Sequence, residues 1–239
     1  MAISRTLGNR YVSRCIAIVA AVSAVLVLSP LVFPAGVEVL FGEDGPVEMG
    51  GAIVFLLAAI VVSIRAYRER RWTLWYTAAT AAGLLAFLSE VSFGERIFGF
   101  TPPRVADVHV DAVHDLFKVA RRLLDRATDD DPSILLAGVG FGCIVLLTSC
   151  VLVMRRPRPP GAVLFVGSVP LVTAAIVIDL KIPGLEFGYR RGLVIEETIE
   201  FTASLLLLAF AVAPTVADRR NAAPRAKRVA TDPPRHHLS

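Results

Sequence analysis

The chain has 239 residues, of which 55% are hydrophobic, 19% charged and 8% aromatic, with a formal net charge of +4. This composition lies outside the usual range of soluble domains of that size, which could not bury so much apolar surface. The small positive excess sits in short clusters beside apolar blocks, which argues against a nucleic-acid partner. Cys15, Cys143 and Cys150 form no CxxC pair, so they read as packing residues without a redox role.

The apolar residues arrive in blocks of about 16 to 22, enough to cross roughly 30 Å of hydrocarbon as a helix. Spans are expected over 15–33, 47–64, 72–89, 134–154, 161–178 and 194–216. Hydrocarbon offers no partner for a backbone N–H or C=O, so such single spans must be helical. Pro170, inside the fifth block, predicts a kink. The first block follows a basic start and resembles a signal peptide. Its apolar run of about 18 residues exceeds the usual 7 to 15, so a retained helix is the reading adopted.

Basic residues alternate with the spans. Arg5, Arg10 and Arg14 precede the first, Arg65, Arg68, Arg70 and Arg71 separate the second from the third, and Arg155, Arg156 and Arg158 separate the fourth from the fifth. Arg219, Arg220, Arg225, Lys227 and Arg228 follow the sixth. Because basic loops stay inside, the pattern puts both termini in the cytoplasm. The expected fold is all-α: a polytopic bundle of six transmembrane helices over 1–217 in the cell membrane. A basic cytoplasmic tail over 218–239 is expected to be disordered, with His236 and His237 solvated.

The outer loop over 92–133 carries a helical pattern at 104–126. Val105, Ala112, Leu116, Val119, Ala120 and Leu123 share one face. Asp107, Asp111, His114, Asp115, Lys118, Arg122 and Asp125 share the other, as on a helix lying along the outer membrane surface. On such a helix His109 falls in the middle of the apolar face, and it points about 140° away from His114, so the two cannot share an ion. His114 and Asp111 do share a face and are candidate metal ligands together with Glu196, with zinc or manganese the fitting ions.

Acids gather on the outer side, where the insertion rule does not require them. Glu43, Asp44 and Glu48 lead into the second span, Glu90 and Glu95 close the third, Asp179 closes the fifth, and Glu196, Glu197 and Glu200 open the sixth. The last three fall within an arc of roughly 100°. A midplane acid costs on the order of 3 kcal/mol, so they should sit at the interface, face the bundle or be paired. Helix entry into hydrocarbon only after Glu200 is the purely structural alternative. Glu90, Glu197 and Glu200 are the candidate acid–base groups, and Glu48, Ser92, Glu95 and Arg96 the candidate substrate contacts.

The segment Glu90-Val91-Ser92-Phe93-Gly94-Glu95-Arg96-Ile97-Phe98-Gly99 resembles one in a family of uncharacterised bacterial polytopic membrane proteins, which reads Glu-Ile-Ser-Trp-Gly-Gln-Arg-Ile-Phe-Gly at the end of a span. The likeness extends to Glu43-Asp44-Gly45-Pro46 and to Glu196-Glu197, about a fifth of the chain. Val113-His114-Asp115 departs from the family's Leu-His-Asn. The resemblance implies the architecture and the choice of residues, and no reaction.

Three functional classes fit. One is an outward-facing hydrolase or transferase, with or without a divalent metal, acting on a lipid or lipid-linked substrate. Another is a noncatalytic accessory or assembly protein that binds a membrane partner. The third is a cation or proton-coupled transporter, although no midplane acid or internal repeat supports it.

Overall fold

The computed structural model describes residues 2–42, 45–70, 73–92, 99, 101–110, 115–127, 159, 161–179 and 188–214. Seven helices and one hairpin occur among them: α1 (Ala2–Val32), a 3-10 turn (Pro34–Gly36), α2 (Val37–Phe41), α3 (Pro46–Arg68), α4 (Leu74–Glu90), β1 (Arg104–Val105), β2 (Val108–His109), α5 (Asp115–Ala127), α6 (Ala162–Asp179) and α7 (Tyr189–Ala211). Five of the six expected spans correspond to α1, α3, α4, α6 and α7. The span expected at 134–154 and the tail at 218–239 lie outside the described residues, as do Cys143 and Cys150.

Local sequence sets the helix ends. Pro46 occupies the first turn of α3, where its missing N–H costs nothing, and Arg65 and Arg68 place positive charge at the negative end of the helix dipole. Thr73 holds the extended conformation before α4. Helix α6 is continuous through Pro170, where the sequence predicts a kink.

Helix α7 is central. It packs against α6, α3 and α1, and α4 packs on α3. The register follows from paired contacts. Arg65 reaches the carbonyls of Phe210 and Ala211, while Phe201 lies against Gly50 and Gly51, so α3 and α7 run parallel. Ser23 meets Thr202 and Tyr11 meets Ala209, so α1 is antiparallel to α7. Ser63 meets Thr80, and Gly83 abuts Phe55 and Ala59, so α4 is antiparallel to α3. Gly167 beside Leu206 and Phe165 beside Phe210 make α6 antiparallel to α7 as well.

The bundle exposes rows of large apolar side chains on its surface as well as burying others within. Small residues line the seams: Ala52, Ala58, Ala59, Ala66, Ala79 and Ala203 are buried, whereas Ile53, Leu57, Ile60 and Ile64 form an exposed row along α3. On α1, Ile18, Val25, Leu28 and Leu31 are exposed, Leu31 by 78%. Close approach through small residues is how helices associate when the surroundings are as apolar as leucine. The stretches Arg10–Val32 and Pro34–Arg68 are long and apolar enough to cross a membrane, and Ala162–Ile178 is a shorter apolar helix. An aromatic cluster closes one end of the core, with Trp75 edge-on to Phe165 at 6.2 Å and Phe165 5.6 Å from Phe210.

The segment after α4 differs from the single helix expected over 104–126. Residues 104–109 form an antiparallel hairpin pairing Arg104 with His109 and Val105 with Val108. Its turn residues, Ala106 (φ 50°) and Asp107 (φ 63°), are both left-handed, as a two-residue hairpin turn requires. Pro102 and Pro103 favour extended chain just before it. A two-residue alternation therefore supersedes the helical period over 104–109. His109 accordingly lies exposed on β2 instead of inside an apolar face, and Asp115, assigned to the polar face, is buried and paired with Lys118 at 3.0 Å.

Candidate functional site

The bundle has a basic end, formed by the starts of α1, α4 and α6 and the ends of α3 and α7, and an opposite acidic end. At the acidic end Glu48 lies in the first turn of α3, buried to 9% exposure. It follows Val47, which shares an apolar cluster with Val194 of α7, Val37 and Phe41. On α7, Glu197 comes one turn after Val194, and Glu200 precedes Phe201, the residue packed on Gly50 and Gly51. The α3–α4 register, continued from Gly83 at 1.5 Å per residue, brings Glu90 to about the level of Gly50. Glu48, Glu90, Glu197 and Glu200 thus occupy about one level on three packed helices.

Glu90, Glu196, Glu197 and Glu200 are half-buried. Every one of these carboxylates, Glu48 included, is engaged in an interaction within the structure. Beside them the Thr198 hydroxyl is buried without a hydrogen-bond partner. Ser92, a candidate substrate contact, is buried with φ 49° and ends α4 in the left-handed region. At the rim Arg190 donates to Glu38 at 3.1 Å across an exposed ion pair. Glu43, Asp44, Glu95, Arg96, Asp111 and His114 lie outside the described residues, so of the candidate ligands only Glu196 is placed. Among the described residues no group of three or more metal-binding side chains converges. Carboxylates at a shared level can accept and donate protons or bind a cation.

No family model, curated protein or solved structure matches this chain.

The basic end holds a constellation that the sequence reading passed over. Arg65, read from the sequence as one of the basic residues that separate the second and third spans, is buried at 8% exposure. Its Nε donates to Glu69 Oε1 at 3.1 Å, and its Nη1 lies 3.3 and 3.4 Å from the carbonyl oxygens of Phe210 and Ala211. The Tyr76 hydroxyl donates to Glu69 Oε2 at 3.0 Å, and the guanidinium sits 5.2 Å above the Tyr76 ring. The last carbonyls of a helix lack intrahelical donors, and a planar cation with several N–H groups satisfies them. The i, i+4 spacing of Arg65 and Glu69 was a readable signal of the pair. Its docking on α7 was not, because that depends on tertiary register.

Proposed function

We propose that this chain is a multi-pass helical membrane protein of six spans, with both termini in the cytoplasm and an outward acid–base site for a lipid or lipid-linked substrate. Exposed rows of large apolar side chains on α1 and α3, beside seams rich in small residues, support the membrane reading. The gathering of Arg10, Arg14, Arg65, Arg68 and Arg70 at one end supports the orientation. Contacts of Tyr11 and Ser23 with α7 make α1 a working member of the bundle, which favours its retention.

The observation that carries the site is the common level of Glu48, Glu90, Glu197 and Glu200. In this reading Glu90, Glu197 and Glu200 move protons in a hydrolysis or group transfer, and Glu48 and Ser92, with Glu95 and Arg96, contact the substrate. Glu196, with Asp111 and His114 from the outer loop, holds a divalent ion, and such an ion lowers the pKa of bound water. The resemblance of the 90–99 segment to uncharacterised bacterial membrane proteins fits this architecture.

Elemental mass spectrometry of detergent-purified protein tests the site. Near-stoichiometric zinc or manganese is expected, lost in Glu196→Gln and His114→Ala while thermal unfolding is retained. A metal-free wild type whose melting falls in Glu197→Gln would replace this reading with the noncatalytic one, in which the acidic rim binds a membrane partner.

A further inference from the structure

We infer that α5 and the hairpin before it form a cationic paddle that lies on an anionic phospholipid surface, holding the outer loop flat against the bilayer. The inference rests on the membrane reading above and adds a binding surface of defined chemistry to it. Helix α5 grips the protein by an edge, since Asp115 and Val119 are its buried side chains among those described, while Leu116 and Leu123 are 54% and 52% exposed and Ala120 is exposed between them. At 100° per residue these three open positions fall within an arc of about 60°. A helix packed for a soluble fold turns that arc inward; here it faces away from the protein.

The charges decide what covers it. Helix α5 carries Lys118, Arg121, Arg122 and Arg126 against Asp115 and Asp125, and Asp115 is already paired with Lys118. Arg122 and Arg126 are exposed on one side of the apolar arc, beyond the strip that holds Val119. The hairpin extends the same surface, because Arg126 pairs with Asp107 of its turn at 2.6 Å, and Arg104 and Val105 are exposed on β1. An exposed apolar strip with arginines along one side suits acyl chains below a layer of anionic headgroups. Phosphatidylglycerol supplies that chemistry.

The test uses the full chain with Cys15, Cys143 and Cys150 replaced by serine, spin-labelled singly at Leu116→Cys, Leu123→Cys, Arg122→Cys or Leu28→Cys, in nanodiscs. Collisions with oxygen and with a water-soluble nickel chelate report lipid and water exposure. In nanodiscs containing phosphatidylglycerol, labels at 116 and 123 should show a several-fold higher oxygen-to-nickel ratio than the label at 122. In pure phosphatidylcholine, or with Arg122→Glu and Arg126→Glu in phosphatidylglycerol, that contrast should fall. Nickel access at 116 and 123 equal to that at 122 in phosphatidylglycerol would overturn the proposal, and so would exclusion of both reagents, which marks a protein partner. The label at 28 separates this failure from that of the membrane reading. A lipid-like signal there keeps α1 in the bilayer whatever α5 does, whereas a water-like one removes the bilayer from both.

Discussion

At the basic end one buried guanidinium is directed to a carboxylate and two backbone carbonyls, and the carboxylate is held from its other side by a tyrosine. At the acidic end Glu196, Glu197 and Glu200 are all half-buried on a single helix, with Glu48 and Glu90 at nearby levels on its neighbours. The first arrangement joins α3, α4 and α7 through named polar contacts. The second gathers like charge at one level, each carboxylate engaged in an interaction of its own. Stability should therefore concentrate at the basic end and chemistry at the acidic end.

The largest expected effect tests that division directly. Arg65→Met leaves Glu69 and two helix-end carbonyls without their cation, so the loss should be about 3–5 kcal/mol, the range for breaking a buried pair from one side. Unfolding in mixed micelles measures it. Arg65→Lys should fall between, because an ammonium lacks the planar fork that reaches a carboxylate and a carbonyl together. Glu197→Gln, which keeps the side chain's size and its hydrogen-bonding capacity, should cost less than Arg65→Met. A comparable cost for Glu197→Gln and Arg65→Met would end the contrast and make the acidic end structural.

Next in size is the seam between the two ends. A Cβ at Gly83 would stand 3.0 Å from the Phe55 carbonyl oxygen and 3.1 Å from Ala59 Cβ. Gly83→Val should push α4 off α3 and cost about 1–3 kcal/mol, the range for overpacking. Because Tyr76 reaches Glu69 from α4, the same shift should weaken the coupling between Arg65 and Tyr76 in a double-mutant cycle. Undiminished coupling would show that the basic end holds α4 independently of the seam.

Five helices were legible because apolar runs of the required length leave no other economical backbone. Their observed ends in α3, α4 and α6 fall within a few residues of the expected bounds. The outer loop was misread at 104–109, where Val105 and Val108 fit a helical period as well as a strand pairing. Only the left-handed turn at Ala106 and Asp107 separates the two. The acids were legible as a set, since charge beside an apolar block stands out. Their common level was not, because it depends on Phe201 meeting Gly50 and on Gly83 meeting Ala59. Arg65 shows the reverse failure: a residue type that explains topology was assumed to have no further role.

A smaller effect belongs to Ser92, which stands with φ 49° where α4 ends at the acidic level. Left-handed backbone costs a non-glycine residue about 1–2 kcal/mol. If the hydroxyl does nothing for stability, Ser92→Gly should raise stability by up to about 1 kcal/mol in the same unfolding assay. A loss instead would mean that the hydroxyl is held by contacts strong enough to offset the strain, and the acidic end would then share the fixed character of the basic one.

The smallest effect lies midway along the α1–α7 seam. Ser23 and Thr202 have their hydroxyl oxygens 2.6 Å apart, and each also reaches a carbonyl of its own helix, Val19 and Thr198 respectively. Two hydroxyls carry two protons, so one bond crosses the seam while the other stays within a helix. Removing either hydroxyl leaves the survivor with its own carbonyl acceptor, and no buried donor is orphaned. A double-mutant cycle of Ser23→Ala and Thr202→Val should therefore give a coupling of about 0.6 kcal/mol, the usual worth of an interhelical bond in a membrane. Coupling well above about 1.7 kcal/mol, the upper end of that range, would place a third anchor at mid-seam. The division between a fixed basic end and a chemically open acidic one would then no longer describe how α1 is held.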